Sequence, residues 1–386
     1  MRNNFNGEKA NLVLQDGSIH SGKSFGAKSC SSGEVVFNTG MVGYPESMTD
    51  PSYFGQILVL TFPLIGNYGV PKNELEDGLL KYFESSKIQV SGLIVADYSH
   101  EYSHWNANSS LSDWMNDNNI PGIYGIDTRA LTKKLRSQGT MLGRIESESS
   151  PEDERRTMGI GGIACIASSN KPKKDFYDPN LSNVLPDVSV SEIKQYGSGK
   201  DSRKKIVLID CGCKDNIVRS LIKRNLSVIR VPWNYDFNKI SYDGLFISNG
   251  PGNPKMAKET IENIRIALSK EKPIFGICLG NQLLSLAAGA DTYKLKFGHR
   301  SQNQPCIEIG TKRCYITSQN HGFAVNTQKL PSGWKPWFIN ANDNTNEGIM
   351  HKTKPFFSVQ FHPEAAPGPV DTAFLFDKFA DLVKNK

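Results

Sequence analysis

The C-terminal half of the chain owes its fold to residues 273–290, which run P-I-F-G-I-C-L-G-N-Q-L-L-S-L-A-A-G-A. The apolar residues at the start predict a buried strand that ends at Ile277, and a helix is predicted to begin near Asn281. Cys278 stands at the junction, with glycines at 276 and 280. This G-x-C-x-G pattern is typical of a nucleophile elbow, a sharp strand-to-helix turn that exposes one side chain and needs small neighbours.

Cys278 is the candidate nucleophile of this elbow. A helix N-terminus beside it would stabilise the thiolate, which is the form that attacks a carbonyl carbon. The backbone amide of Leu279 would then point towards a developing oxyanion. A buried structural cysteine at the start of a helix is the alternative, because free cysteines are commonly buried. A partner base elsewhere in the chain would favour the catalytic interpretation.

Residues 355–364, P-F-F-S-V-Q-F-H-P-E, offer such a base. An aromatic-rich strand is predicted to end in His362-Pro363-Glu364. Because residues i and i+2 of a strand point to the same side, we expect Glu364 to orient the imidazole of His362. Cys278, His362 and Glu364 would then supply the nucleophile, the base and the orienting acid of a hydrolase.

Strands and helices alternate around these motifs, which predicts an α/β domain with a doubly wound, mostly parallel sheet. Ligands of such sheets bind at the carboxyl ends of the strands, so the loops at 249–254, 278–282 and 362–364 are candidate site loops. The predicted elements of this half are strands at 205–210, 227–232, 244–248 and 273–277, with helices at 215–224 and near 258–270.

The first half is predicted to be a separate mixed α/β domain, because 386 residues suffice for about two domains. Its predicted elements are strands at 12–18, 34–40, 56–63 and 91–97 and a helix at 127–137. We place the N-terminal domain at 1–195, a linker at 196–204 and the C-terminal domain at 205–386. The linker contains Gly199-Lys200 but not a P-loop, since Lys194 and Asp201 occupy the positions that need glycine and Ser or Thr.

Composition excludes several classes of protein. The 45 basic and 39 acidic residues give a net charge of only +6, spread along the chain, so charge does not indicate nucleic-acid binding. Seven cysteines in so long a chain fit reduced thiols in the cytoplasm better than a disulfide scaffold. The N-terminus has no apolar signal region, and the longest apolar stretch, 54–66, is too short to span a bilayer. We therefore expect no membrane partner.

Two further motifs carry weaker signals. His100-Glu101-Tyr102-Ser103-His104 matches H-E-x-x-H, but zinc binding needs this motif on a helix, and a loop is expected here, with Trp105 as an aromatic anchor. Cys211-Gly212-Cys213 lacks a second cysteine pair and is expected to serve packing. We therefore expect no metal site. The role of His321 is left open, with a structural hydrogen bond as the simplest expectation.

The motifs of the second half resemble the class I glutamine amidotransferases, through N-G-P-G-N-P (249–254), F-G-I-C-L-G-N-Q (275–282) and Q-F-H-P-E (360–364). The first half is similar to the glutaminase (small) subunit or domain of carbamoyl phosphate synthetase, through residues 33–53 and F-P-L-I-G-N-Y-G (62–69). The resemblance extends from about residue 10 to residue 384.

The resemblance implies that glutamine is hydrolysed to glutamate and ammonia through a Cys278 thioester. The substrate contacts it implies are Ser52, Gly250, Gly252, Leu279, Gln282, Asn320, Gly322 and Phe323. Ser52 would reach the site from the other domain. Ammonia would pass to a synthetase, either a large subunit or a fused domain, that uses bicarbonate and ATP. No cofactor is expected in this chain, and ATP and Mg²⁺ would bind to the synthetase.

Three positions depart from the family pattern: Asn281, Asn253 and Ser301. Asn281 is a feature of the ammonia-dependent urea-cycle enzymes, some of which have lost the cysteine, whereas Cys278 is present here. Two alternatives therefore stay open: an amidotransferase subunit of another synthase, and a catalytically weak regulatory subunit. The choice between pyrimidine and arginine synthesis also stays open.

Overall fold

A computed structural model describes residues 7–147, 176–197 and 203–385. The chain divides into two compact units. The first unit comprises Met1–Glu74 and Ser86–Pro179, and the second comprises Leu75–Ser85 and Asn180–Lys386. Most of the predicted linker, at 198–202, lies outside the described residues, as does Cys165.

The first unit is built around a closed barrel, in the order β1-β13-β3-β4-β9-β12-β2. β3, β4, β9 and β12 are parallel neighbours, and the other pairs are antiparallel. The barrel strands are β1 (Lys9–Leu14), β2 (Ile19–Gly26), β3 (Ser31–Asn38), β4 (Gln56–Leu60), β9 (Gly92–Ile94), β12 (Pro121–Tyr124) and β13 (Met141–Ser147). Short pairs are formed by β5 (Leu64–Ile65) with β10 (Asp97–Tyr98) and by β6 (Val70–Pro71) with β11 (Ala107–Ser109).

Local sequence explains these elements. Every residue of β4 is buried, as its continuous apolar run predicts, whereas β1 buries alternate residues. The helices of this unit are α1 (Tyr44–Thr49), α2 (Leu111–Asp117) and α3 (Thr128–Gln138). Asp127 caps α3 by accepting a hydrogen bond from the amide of Ala130 at 2.8 Å. The predicted mixed α/β character of the first half is thereby confirmed.

The second unit contains a ten-stranded sheet in the order β14-β16-β15-β17-β18-β23-β22-β21-β19-β20. Its strands are β14 (Lys194–Tyr196), β15 (Lys205–Asp210), β16 (Ser227–Pro232), β17 (Gly244–Ile247), β18 (Ile274–Ile277), β19 (Thr292–Glu308), β20 (Cys314–Val325), β21 (Trp334–Asn340), β22 (Asn346–His351) and β23 (Phe356–Val359). The helices are α4 (Leu185–Val188), α5 (Asp215–Lys223), α6 (Lys258–Leu268), α7 (Leu279–Ala288) and α8 (Phe374–Lys384). A hairpin of β7 (Leu75–Glu76) and β8 (Leu79–Leu80) belongs to the same unit.

Two apolar layers cover the parallel strands, as a doubly wound sheet requires. Ile206 and Leu208 of β15 lie in the cluster that includes residues of α5 and α8, whereas Val207 and Ile209 lie in the cluster with α6 and α7. The predicted doubly wound α/β fold is thereby confirmed. The prediction that this sheet is mostly parallel is wrong in extent. Among its described strands, only β16, β15, β17, β18 and β23 are parallel neighbours, and the five remaining strand pairs are antiparallel.

The chain is partitioned differently from the sequence-based division at 195. Residues 180–197 lie with the second unit, because β14 pairs with β16 at the edge of its sheet. Residues 75–85 also lie with the second unit, although the chain on both sides of them belongs to the first. Among the described residues, no helix has both the length and the apolar character that crossing a membrane requires.

Candidate active site

Cys278 sits at a strained junction between β18 and α7. Its φ and ψ are 55° and −104°, a left-handed conformation that a residue with a Cβ adopts at a cost of about 1–3 kcal/mol. Its amide donates a hydrogen bond to the carbonyl of Val359 at 2.9 Å. A Cβ on Gly280 would come within 2.2 Å of the Ile247 carbonyl oxygen, so the elbow requires glycine there. The sharp turn expected from G-x-C-x-G is present.

His362 and Glu364 are close partners. His362 Nδ1 donates to Glu364 Oε1 at 2.6 Å, and both residues are buried. The prediction that a strand extends to these two residues is wrong, because β23 ends at Val359. They belong instead to a turn in which the Ala365 amide donates to the His362 carbonyl at 3.1 Å. Pro363 has no amide hydrogen with which to continue a strand.

The electrostatics favour a charged imidazole. Burial opposes the charged form of His362, but the Glu364 carboxylate and the Cys278 sulfur outweigh it and raise the pKa of His362 to about 10. Burial would raise the pKa of Glu364, yet His362 and Lys214 hold it below its usual value. Nε2 of His362 is buried and is the ring nitrogen that Glu364 does not hold, so this nitrogen is available to a reacting group. The Cys278 thiol lies 3.6 Å from the Asn320 carbonyl oxygen.

Sequence analysis missed two side chains that support Glu364. Lys214 Nζ lies 3.4 Å from Glu364 Oε1 and donates to the Ala365 carbonyl. Asn216 Nδ2 donates to the carbonyl of Glu364 itself. Both residues stand at the start of α5, about 150 positions earlier in the chain, and no local pattern links them to the His-Pro-Glu motif. Their position just after the end of a parallel strand was the only available signal.

The loop after β17 packs closely on the backbone near Cys211. A Cβ on Gly250 would come within 1.8 Å of the Cys211 carbonyl oxygen and 2.9 Å of Leu279 Cδ2. Gly252 has a φ of +83°, another conformation suited to glycine. Cys211 and Cys213 are both fully buried, and burial raises the pKa of each thiol well above its usual value. These features fit the packing role expected of the C-x-C motif.

The other predicted glutamine contacts occupy both units. Gln282 Nε2 donates to the Phe323 carbonyl at 2.9 Å, which joins α7 to β20. Asn320 and Gly322 lie on the same strand, and Leu279 is the first residue of α7. Ser52 lies in the first unit, in a short 3-10 turn (Pro51–Tyr53) whose N-cap is Asp50. Its contact with glutamine stays a prediction.

The three departures from the family pattern have structural roles within the second unit. Asn281 is fully buried, donating to Gln360 Oε1 at 3.1 Å and accepting from Ser358 Oγ at 2.8 Å. Asn253 accepts a hydrogen bond from the Lys255 amide at 3.1 Å. Ser301 Oγ accepts from Gln304 Nε2 at 2.9 Å. Asn281 is therefore tied to the sheet behind the helix.

A histidine cluster lies beside β20. Burial opposes the charge on His299, but Asp343 and Glu347 outweigh it and raise the pKa of His299 to about 9. Its Nε2 lies 2.9 Å from Asp343 and its Nδ1 lies 3.3 Å from Glu347. His321 Nδ1 donates to the Phe323 carbonyl at 2.8 Å, the structural role expected for it. His299, His321 and Glu347 are near enough to one another to hold a metal ion.

The H-E-x-x-H segment at 100–104 is not helical, as expected, so its histidines do not share one helix face. The expectation of an aromatic anchor at Trp105 is wrong, because this side chain is 85% exposed. Its ring instead lies beside that of His104, tilted by 37° with 5.4 Å between centroids.

Comparison with known proteins matches the two halves of the chain to two different family models. Residues 12–145 match the family model of the carbamoyl-phosphate synthase small chain, CPSase domain. Residues 207–382 match the model of glutamine amidotransferase class-I.

Three curated relatives are similar over almost the whole chain. The mitochondrial carbamoyl-phosphate synthase [ammonia] of Homo sapiens is 50% identical over 98% of this chain. The multifunctional proteins URA2 of Saccharomyces cerevisiae and ura1 of Schizosaccharomyces pombe are 51% and 52% identical, each over 97% of this chain. The chain spans 24% of the human protein and 17% of each yeast protein.

Proposed function

This chain belongs to the carbamoyl-phosphate synthase small-chain family of class I glutamine amidotransferases, and on that premise we propose that it hydrolyses L-glutamine to glutamate and ammonia. The observation that supports the proposal most is the geometry at the elbow. A strained cysteine stands at a helix N-terminus, near a histidine whose Nδ1 is held by a buried carboxylate at 2.6 Å. This arrangement suits acyl transfer to a thiol.

The first half of the reaction forms a thioester. The Cys278 thiolate attacks the side-chain amide carbon of glutamine, and the negative charge moves to the amide oxygen. The Leu279 amide, at the start of α7, and an amide of the loop at 250–252 would stabilise that charge. His362 Nε2 then gives its proton to the amide nitrogen, the C–N bond breaks and ammonia leaves.

The second half regenerates the enzyme. His362, now neutral at Nε2, takes a proton from water as the oxygen attacks the thioester carbon. The C–S bond breaks, glutamate leaves, and the thiolate is again paired with an imidazolium. Glu364 keeps Nδ1 protonated throughout, so that Nε2 is the nitrogen that gives and takes the proton.

Assays of glutamate release from glutamine by the wild type and by Cys278→Ser test the proposal, with and without a carbamoyl phosphate synthetase. We expect slow hydrolysis by the wild type alone, faster hydrolysis with the synthetase, and a loss of at least about 100-fold in the variant, as for removal of a nucleophile. Equal glutamate release by the two proteins would refute the role of Cys278. No release from the wild type under any condition would favour a regulatory subunit without activity.

We further propose that ammonia passes to synthetase domains that bind ATP and Mg²⁺ and use bicarbonate, while this chain holds no cofactor. The relatives support this, because each extends far beyond the part that matches and two are called multifunctional. A cytoplasmic location is supported by the cysteine content, because seven cysteines in so long a chain fit reduced thiols better than a disulfide scaffold. The competing function is that of a regulatory subunit without glutaminase activity. The name of the human relative, which contains the word ammonia, favours this alternative.

A further inference from the structure

Residues 75–85 bring an acidic side chain to the helix that supports the active site. The segment forms the β7–β8 hairpin, whose turn residues Asp77 and Gly78 both have positive φ, as a tight two-residue turn requires. Glu84, the residue before its end, is 1% exposed. The segment belongs to the second unit, although the chain before and after it does not.

Glu84 holds the N-terminal part of α5 through three interactions, of which two satisfy backbone amides and one is an ion pair. Its backbone carbonyl accepts a hydrogen bond from the Asp215 amide at 2.9 Å. Its Oε2 accepts from the Asn216 amide at 3.0 Å. Its Oε1 forms an ion pair with Arg219 Nη2 at 2.7 Å, and both side chains are largely buried. A carboxylate that satisfies the first amides of a helix fixes where that helix begins.

Arg219 transmits this constraint to Asn216. Its Nη1 donates to the Leu80 carbonyl at 2.6 Å, so the guanidinium is held by the same segment. Its Nε donates to Asn216 Oδ1 at 3.1 Å. That hydrogen bond sets the rotation of the Asn216 amide, because the oxygen must face Arg219. The Nδ2 group is thereby directed to its acceptor, the carbonyl of Glu364.

The turn that carries Glu364 needs such support. Ala365 and Ala366, which follow it, have φ values of 56° and 52°, in the left-handed region that residues with a Cβ avoid. Asn216 binds the Glu364 carbonyl and Lys214 binds the Ala365 carbonyl. Both donors stand at the start of α5, so a shift of this helix would move the turn, and with it the carboxylate that orients His362.

We propose that Glu84 is a positioning residue of the glutaminase site, which acts through Arg219 and Asn216 on the turn that carries Glu364. The inference rests on the proposed function for its kinetic consequence. A residue from the N-terminal part of the chain thus sets the geometry of a catalytic group encoded 280 positions later.

The test compares Glu84→Gln and Glu84→Ala with Glu76→Gln, a matched control in the same segment whose side chain is exposed. We expect kcat to fall about tenfold in Glu84→Gln and further in Glu84→Ala, the range seen when a residue that orients a catalytic group is lost. KM should stay within about twofold of the wild type, because no substrate contact changes. The Glu76→Gln control should match the wild type in both constants.

A double-mutant cycle with Asn216→Ala tests the route. If Glu84 acts through Asn216, the double variant should lose no more activity than the more damaged single variant. The alkaline limit of kcat/KM should also move to lower pH in Glu84→Ala, because a displaced Glu364 no longer raises the pKa of His362. Additive losses in the cycle, or an effect confined to KM, would overturn the proposal.

Two further measurements separate this inference from folding and from the proposed function. Thermal unfolding, together with titration of the reactive Cys278, gives kcat per intact site. A Glu84→Gln variant that merely unfolds at lower temperature, with unchanged kcat per intact site, would reduce Glu84 to a structural residue. The pH dependence of Cys278 alkylation, followed on its peptide, needs no turnover. If the wild type fails to hydrolyse glutamine, a shift of this profile in Glu84→Gln still supports the inference, and an unchanged profile overturns it.

Discussion

The hydrogen bond between His362 and Glu364 is the most informative contact at the scale of single residues. At 2.6 Å and in full burial, the carboxylate keeps a proton on Nδ1 and raises the pKa of the imidazole to about 10. The ring therefore stays charged at neutral pH, as a partner for a thiolate must. Since this carboxylate is the largest of the contributions that raise the pKa of His362, its removal should be visible in a pH profile.

Glu364→Gln should shift the alkaline limit of kcat/KM for glutamine towards neutral pH. The raised pKa means that His362 loses its proton only as the pH approaches about 10. Without the carboxylate the pKa falls, and the proton is lost at lower pH. We expect kcat/KM at pH 7 to fall about tenfold or more. Rates measured from pH 6 to 10 provide the check, with Glu262→Gln on the exposed face of α6 as the control.

An unchanged alkaline limit in Glu364→Gln would show that the carboxylate is not what holds the proton on His362.

Prediction of single residues from the sequence succeeded where the signal was local. The G-x-C-x-G spacing predicted the elbow because its steric demands fall on adjacent residues. Lys214 and Asn216 were not predicted, because their contacts with the turn at Glu364 join residues about 150 positions apart.

At the scale of elements, hydrogen bonds set where a helix or strand begins and ends, and closure of the barrel sets which strands pair. The start of α3 was predictable, because Asp127 is both a preferred N-cap residue and the residue before the helical spacing begins. Barrel closure was not predictable, because β1 pairs with β13 and with β2 across very different chain separations. The end of β23 was also missed, because the aromatic residues continue to Phe361 although the strand itself ends at Val359.

Asp127→Ala should lower the free energy of unfolding by about 1 kcal/mol, the usual cost of losing an N-cap. The carboxylate accepts from the Ala130 amide at 2.8 Å, and alanine leaves that amide without this partner. Asp127→Asn retains the acceptor, so it should lower the free energy of unfolding by only about a few tenths of a kcal/mol. Thermal unfolding of the three proteins measures the difference. Equal losses in the Ala and Asn variants would show that charge, rather than the cap, is what matters.

At the scale of the whole molecule, aromatic packing dominates one face of the second unit's sheet. Phe379 of α8 is fully buried, with its ring 5.5 Å from that of Phe246 and 5.9 Å from that of Phe275. Phe376 on the same helix stacks on Phe246 at 5.7 Å. The C-terminal helix is thus part of the core rather than an appendage.

Phe379→Ala should destabilise the second unit by about 3–5 kcal/mol, the range for a large aromatic side chain removed from a core. Phe374→Ala on the same helix is the matched control, because that side chain is 39% exposed and its loss should cost far less. Calorimetry of both variants would show the difference as a drop in Tm. A similar drop in Tm for both variants would mean that the helix as a whole, rather than the core contact of Phe379, accounts for the stability.

Residues 75–85 belong to the second unit, which limits how the chain can be divided into fragments. The chain crosses between its two units three times, after residues 74, 85 and 179, so no single cut separates them. A fragment that begins at residue 180 would lack Glu84 and leave the side chain of Arg219, only 9% exposed in the intact chain, without its ion-pair partner. To place the second unit in another protein, residues 75–85 would therefore have to be included as a separate insert.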